Sequence, residues 1–311
     1  MIKVSIIVAT YNHEKYIAKA LESIVSQKAD FEFEAIVGDD ASKDNTAQII
    51  TDFANKYPEI IKPVLRKKNL GPFKNFYDLC MRAKGEYIAF LEGDDFWIDD
   101  DKLKKQIDFL DSNKDYAACF GKCIIVDEND IRQEETEKYT AYFDGGEYTK
   151  ENLEEYFLPG QTATSVYRKS VIFDLLAQVK KNKKILPKVP IADIFLILGV
   201  LSKGRIRTHK DTYAAYRYII KKGSGSWSSK HDNYSLLNVI FFLYGMKELE
   251  RVGKILGVNI CFDEKRKYEF SKVADYKGQI PLIAINIIRF FIWIWYKDKK
   301  DFSRFMKERH K

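Results

Sequence analysis

Two hydrophobic periods alternate along the first hundred residues. Val4-Ser5-Ile6-Ile7-Val8-Ala9 is nearly continuous and β-branched, the pattern of a strand buried on both faces. Residues 14 to 27 follow, with Ile17, Ala20, Leu21, Ile24 and Val25 at helical spacing. The cycle then repeats with a strand at Ala35 to Val37, a helix opened by Asp44 and Thr46, and a strand around Ile60 to Leu65. A helix from Pro72 to Arg82 and a strand from Tyr87 to Leu91 close the set. Pro72 suits a first helical turn, where its missing N–H leaves nothing unpaired. This rhythm predicts an α/β fold: a Rossmann-like, mostly parallel sheet with helices on both faces.

Beyond residue 100 the pattern loosens. Leu103, Ile107, Phe109 and Leu110 mark a helix over 101–112, and Ala117 to Val126 is strand-like. Residues 127–150 are acidic, polar and turn-rich, and read as a surface excursion. A short strand is expected at Thr164 to Arg168, a helix from Ser170, and a helix from Ile191 to Leu201 stopped by Gly204. Two strands follow, Arg205 to Thr208 and Thr212 to Tyr218, then a flexible loop at Gly223-Ser224-Gly225-Ser226. From Asp232 onward the pattern is helical.

Ligands of parallel sheets bind beyond the carboxyl ends of the strands. There the chain places Thr10-Tyr11-Asn12, Asp39-Asp40 and Glu92-Gly93-Asp94-Asp95. The last group packs three carboxylates into four residues at the end of a buried strand. Such groups repel one another unless a cation sits among them, and a divalent ion holding a diphosphate would answer. A solvated acidic turn is the plain alternative. The second carboxylate turn at Asp39-Asp40 favours a site.

Composition narrows the class. With 31% charged and 46% apolar residues, the 311-residue chain is globular and long enough for a sizeable core. The formal charge of +7 is too diffuse to argue for nucleic acid. Four cysteines, Cys80, Cys119, Cys123 and Cys261, suggest neither a disulfide framework nor a metal knuckle, and Cys119 and Cys123 read as core thiols of a reducing compartment. A strand begins almost at the first residue, so no signal peptide is expected. His13, His209, His231 and His310 show no ligand spacing and suggest no catalytic role.

Three motifs carry a resemblance. Val4 to Asn12, Ile36-Val37-Gly38-Asp39-Asp40-Ala41-Ser42-Lys43-Asp44-Asn45-Thr46, and Gly85 to Asp95 resemble, in order and spacing, the family-2 inverting glycosyltransferases of GT-A fold. A weaker match runs through Tyr167-Arg168-Lys169-Ser170, Asp193 and Tyr216-Arg217 to about residue 229. The resemblance implies a donor-nucleotide site at Thr10, Tyr11, Asn12, Asp39, Arg66, Glu92, Gly93, Asp94 and Arg217. Asp39 would accept from the base N–H, since a carboxylate only accepts. Asp40 could equally cap a helix. Asp94 would be the direct metal ligand, with Asp95 beside it, holding Mn2+ or Mg2+. Glu92 stands where the family shows Asp. Asp193 would be the base that takes the acceptor proton, with Ala192 replacing the family's usual Glu. The Gly/Ser loop before Trp227 would close over the donor.

The implied organisation is a nucleotide-sugar-binding part (1–100), an acceptor-binding and catalytic part (101–229), and a helical extension (230–311). The implied reaction moves one sugar from a nucleotide diphospho-sugar, a UDP-sugar by preference, to a hydroxyl of a glycan or lipid-linked glycan acceptor. Bacterial surface polysaccharide or lipo-oligosaccharide would be the product. A nucleotide-sugar-binding protein without catalysis, or a sugar-phosphate nucleotidyltransferase, are the alternatives. The tail has its own character. Gln279 to Tyr296 is apolar but interrupted by Asn286 and Arg289, and Lys297 to Lys311 carries seven Lys/Arg against three Asp/Glu. It fits a peripheral contact with the inner face of the cytoplasmic membrane, or a helix packed internally or in a homo-oligomer.

Overall fold

The computed structural model describes residues 1–137, 142–155, 157–188, 192–219 and 236–272. Its elements are β1 (Val4–Thr10), α1 (Ile17–Val25), β2 (Phe33–Asp39), α2 (Thr46–Lys56), β3 (Ile61–Leu65), α3 (Pro72–Arg82) and β4 (Tyr87–Glu92). Then come β5 (Phe96–Trp97), α4 (Lys102–Ser112), β6 (Tyr116–Val126), α5 (Glu134–Glu137), β7 (Gly146–Tyr148) and α6 (Lys150–Glu154). The rest are β8 (Val166–Arg168), α7 (Lys169–Lys181), α8 (Ala192–Leu201), β9 (Arg205–Arg217), α9 (Leu236–Leu256) and α10 (Asp263–Lys272).

All nine strands join one sheet, in the order β3-β2-β1-β4-β8-β6-β9-β5, with β7 added to β9. β1 lies between β2 and β4, parallel to both, and Val4 through Val8 are buried. Its side chains alternate between two cores. Val4, Ile6 and Val8 meet Leu21 and Ile24 of α1 and Leu103 of α4, while Ile7 joins Ile36, Phe90 and Leu79 of α3. Register then sets the site. Thr10 pairs with Asp39 and Ala9 with Glu92, so three strands end nearly level.

The structure changes three expectations. The sheet is mixed in its second half, because β8 runs antiparallel between β4 and β6 and β5 and β7 run antiparallel to β9. The two late strands are one, β9, which stays continuous by shifting register against β6. Residues 127–150 are more than an excursion, since they hold α5 and β7, and Tyr148 is 1% exposed in the core. Three residues are too few to show a period, which is why β7 was illegible. The loop at Gly223 to Ser228 and the tail from Gln279 to Lys311 lie outside the described residues. No helix among the described residues is long and apolar enough to cross a membrane.

One core group is out of place. Lys102 is fully buried, 4.4 Å from the Trp97 ring, and donates to Gln106 Oε1 at 2.8 Å. Gln106 in turn donates to the carbonyls of Cys119 and Thr164, so this polar chain stitches α4 to β6. Burial pushes the Lys102 pKa down from 10.5 to about 7. Its folded value lies below its unfolded value, so the penalty is full below pH 7 and fades as pH rises toward 10.5. Lys102→Met, which keeps a flexible stem against the ring, should therefore raise the melting temperature at pH 6–7, by a free energy of about 2–4 kcal/mol. Thermal melts across pH should show the gain shrinking toward pH 10. A variant destabilised at pH 6 would contradict this account.

Candidate active site

Each loop at the level strand ends is fixed by its neighbour. Asn12, at φ 57°, donates its N–H to Ser42 Oγ at 2.8 Å and accepts from Lys43 N at 2.9 Å. The loops after β1 and β2 are thereby clasped together, leaving Tyr11 exposed above them. Asp39 is buried and accepts from the Ser42 N–H at 3.1 Å and from the Ser42 hydroxyl. Asp40 does serve a helix start, but of α3 rather than the next helix. Its two oxygens accept from Leu70 N at 2.8 Å and Gly71 N at 2.9 Å. Asp44 caps α2 through Thr46.

The acidic turn after β4 is sorted by its partners. Asp95 points inward, accepting from Arg217 N at 2.8 Å and Gln161 Nε2 at 3.2 Å. With both oxygens engaged and the residue 2% exposed, it does not face the cleft as the expected second metal ligand. Asp94 keeps its carboxylate outward, 24% exposed. Arg217 is itself buried. Its guanidinium donates to the carbonyls of Asp94 (2.8 Å) and Asp127 (2.6 Å) and to Asp130, and lies over the Tyr16 ring. It clamps the turn from below instead of reaching toward a diphosphate. Arg66 is similarly occupied, by Asn75 and Asp78.

Asp193 sits in the first turn of α8, across from Glu92. Water reaches it from the cleft, yet protein crowds the carboxyl enough to hold its pKa above the usual carboxylate range. Its charge is felt at Tyr142, Tyr167 and Tyr216. Of these, Tyr142 lies in a stretch with no local signal.

Three buried side-chain atoms at this place have no hydrogen-bond partner: Thr10 Oγ1, His13 Nδ1 and Glu92 Oε2. All flank Gly93. A Cβ there would strike Thr10 Oγ1 at 2.6 Å and approach His13 Nδ1 to 3.0 Å, so only glycine fits. Burial, then the charges of Asp193 and Asp94, push the Glu92 carboxyl up to about 8. Burial, then Asp94 and Glu92, raise Asp95 also. Orphaned polar atoms beside crowded carboxylates fit a divalent cation, and Asp94 is the carboxylate of the turn that is turned outward.

The sequence matches the glycosyl transferase family 2 model over residues 5–175, more than half of the chain. The chain belongs to glycosyl transferase family 2. Among family-2 relatives and similar sequences, an uncharacterized protein of Mycobacterium tuberculosis is 40% identical over 131 residues, covering 42% of this chain and 38% of its own. The poly(ribitol-phosphate) beta-N-acetylglucosaminyltransferase TarS of Staphylococcus aureus is 39% identical over 116 residues, 36% of this chain and 20% of TarS. In both cases the match spans less than half of the relative's length. The structure of TarS residues 1-349 with UDP-GlcNAc superposes with a TM-score of 0.59 at 25% identity, covering 85% of this chain and 69% of that one. The mannosyltransferase PcManGT of Pyrobaculum calidifontis, solved with GDP-Man and Mn2+, superposes at 0.55 with 14% identity, over 94% of this chain and 80% of its own, and shares the fold. The architecture is that of the GT-A glycosyltransferases.

The Glu92 environment has a measurable consequence. Its folded pKa of about 8 exceeds the ordinary 4.5, so the folded state holds the extra proton between those values and loses stability as pH rises through them. In EDTA, Glu92→Gln should melt several degrees above the parent at pH 8.5 and level with it at pH 4.5. A Gln variant less stable than the parent at pH 8.5 would show that the carboxylate crowding is relieved within the protein itself.

Proposed function

We propose that this chain is a metal-dependent inverting glycosyltransferase that moves one sugar from a UDP-sugar to a hydroxyl of a glycan acceptor, in bacterial surface polysaccharide synthesis. The observation that carries the reading is Asp193. Among the described residues its carboxylate has no hydrogen-bond or ion-pair partner, it is exposed, and it lies close enough to Glu92 to raise that carboxyl's pKa. A base of raised pKa, open to the cleft, is what abstraction of a hydroxyl proton requires.

In this proposal Tyr11 offers its exposed ring to the base, while Asp39, 2% exposed with both oxygens taken by Ser42, holds the neighbouring loop in place rather than meeting the base itself. Asp94 would hold Mn2+ or Mg2+, which would supply positive charge against the departing diphosphate. The acceptor hydroxyl gives its proton to Asp193. Its oxygen bonds to the anomeric carbon, the bond from that carbon to the diphosphate oxygen breaks, and the electron pair leaves with the nucleoside diphosphate. Attack from the face opposite the leaving group inverts the configuration. The TarS complex with UDP-GlcNAc and the PcManGT complex with GDP-Man and Mn2+ support donor and metal classes of this kind. On this reading residues 1–100 hold the donor and 101–229 supply the acceptor side.

Asp193→Asn should bind UDP-sugar like the parent and lose transfer by roughly 10²–10⁴-fold, because an amide cannot take the proton. Donor binding by calorimetry and transfer from a labelled donor measure the two separately. Near-normal transfer would place the base elsewhere. Asp94→Ala should melt at or above the parent in EDTA, since its charge adds to the crowding at Glu92 and Asp95, and lose Mn2+-dependent turnover. Parental turnover in this variant would remove Asp94 from the metal site.

A further inference from the structure

We propose that His13 Nδ1 is a second protein ligand of the cation held at Asp94, and that this imidazole makes the site prefer Mn2+ to Mg2+. The inference rests on the metal-dependent reading above. His13 follows β1, and its backbone is pinned on both sides. Its N–H donates to Thr46 Oγ1 at 2.9 Å, and its carbonyl accepts from the N–H groups of Tyr16 and Ile17, each at 2.9 Å. The side chain is thus aimed at the acidic turn by the start of α1.

The geometry there lacks a participant. His13 Nδ1 is buried and unpartnered, 3.9 Å from Asp94 Oδ1. That is too long for a hydrogen bond. Two donors each about 2.1 Å from one ion lie roughly 3.0–4.2 Å apart, depending on the angle at the ion. The observed separation falls inside that span. An independent signal is Thr10. It is 3% exposed, its hydroxyl has no partner, and it crowds the same side of Gly93 as His13. This hydroxyl would accept or donate to a water on the ion.

Donor chemistry then gives the preference. Mg2+ favours an all-oxygen octahedron, whereas imidazole suits transition metals better. A nitrogen ligand beside Asp94 therefore tilts the site toward Mn2+. A rival cluster, Glu250, Cys261 and Asp263, carries no such case. Arg266 already pairs with Glu250 at 2.8 Å and with Asp263.

The test uses the full chain with saturating UDP. Free Mn2+ is titrated by EPR, and Mg2+ affinity is read by competition, for the parent, His13→Ala and His13→Gln. Melting in EDTA checks that each variant folds. Both variants should bind Mn2+ roughly tenfold or more weakly. Mg2+ affinity should change by less than about threefold, collapsing the selectivity. Pulsed EPR of bound Mn2+ should show nitrogen modulation in the parent and none in His13→Gln. Should the variants keep the parental Mn2+ affinity and nitrogen signal, His13 is no ligand, while the metal at Asp94 stands. Should the parent itself bind no Mn2+ with UDP present, the metal reading fails first and this inference with it.

Discussion

The cleft depends on one buried cation beneath a set of carboxylates. Glu92, Asp94, Asp95 and Asp193 gather where β4 ends, and their repulsion would splay the turn unless something held it. Arg217 does so from below. Its backbone N–H takes one Asp95 oxygen, its Nε takes the Asp94 carbonyl, and its remaining donors tie in Asp127 and Asp130. Because the Arg217 backbone N–H holds Asp95 inward and its guanidinium holds the Asp94 carbonyl, the Asp94 carboxylate is left on the open side. One carboxylate is held in and one is presented, and the difference is made by a residue 123 positions away in sequence.

That separation explains what could be read from the chain and what could not. Strands buried on both faces and amphipathic helices declared themselves by period, so the order of β1 to β4 and α1 to α4 was legible, with α3 matching at both ends and α1 and β2 off by two or three residues at theirs. The level strand ends were legible too, as three polar motifs each following an apolar run. Partnering was not. Asp94 and Asp95 are neighbours of the same type, and nothing local says which turns inward. Arg66 and Arg217 read as free cations near an anionic ligand, whereas each is bonded to the protein's own carboxylates or carbonyls. His13 shows no ligand spacing along the chain because its neighbour Asp94 reaches it only through the β1–β4 pairing.

The mixed half of the sheet follows from the same demand for partners. β9 must deliver Arg217 under the turn while packing Ile206 and Tyr213 in the core, and it does so as one long strand with register shifts against β6. β5, only two residues long, follows the acidic turn and pairs antiparallel to β9 at Phe96↔Ala215 and Trp97↔Ala214. The turn is therefore anchored twice to one strand, by side chain and by ladder. In the fold Phe96 and Trp97 are the splint that keeps Asp94 in place.

Stability has been traded for charge at two depths. Lys102 lies in the core under Trp97, and Glu92 lies at the cleft floor, each held far from its ordinary ionisation. Their contexts differ. Lys102 has a neutral partner, Gln106, which itself bridges two carbonyls, so its hydrogen bond is made and only its charge is disfavoured. Glu92 has an oxygen with no partner and two like charges nearby. A satisfied buried polar group specifies packing. An unsatisfied one stores a penalty that a bound ligand can release. By that distinction the polar chain at α4 belongs to the architecture, and the orphaned atoms beside Gly93 are the ones the proposed reaction would use.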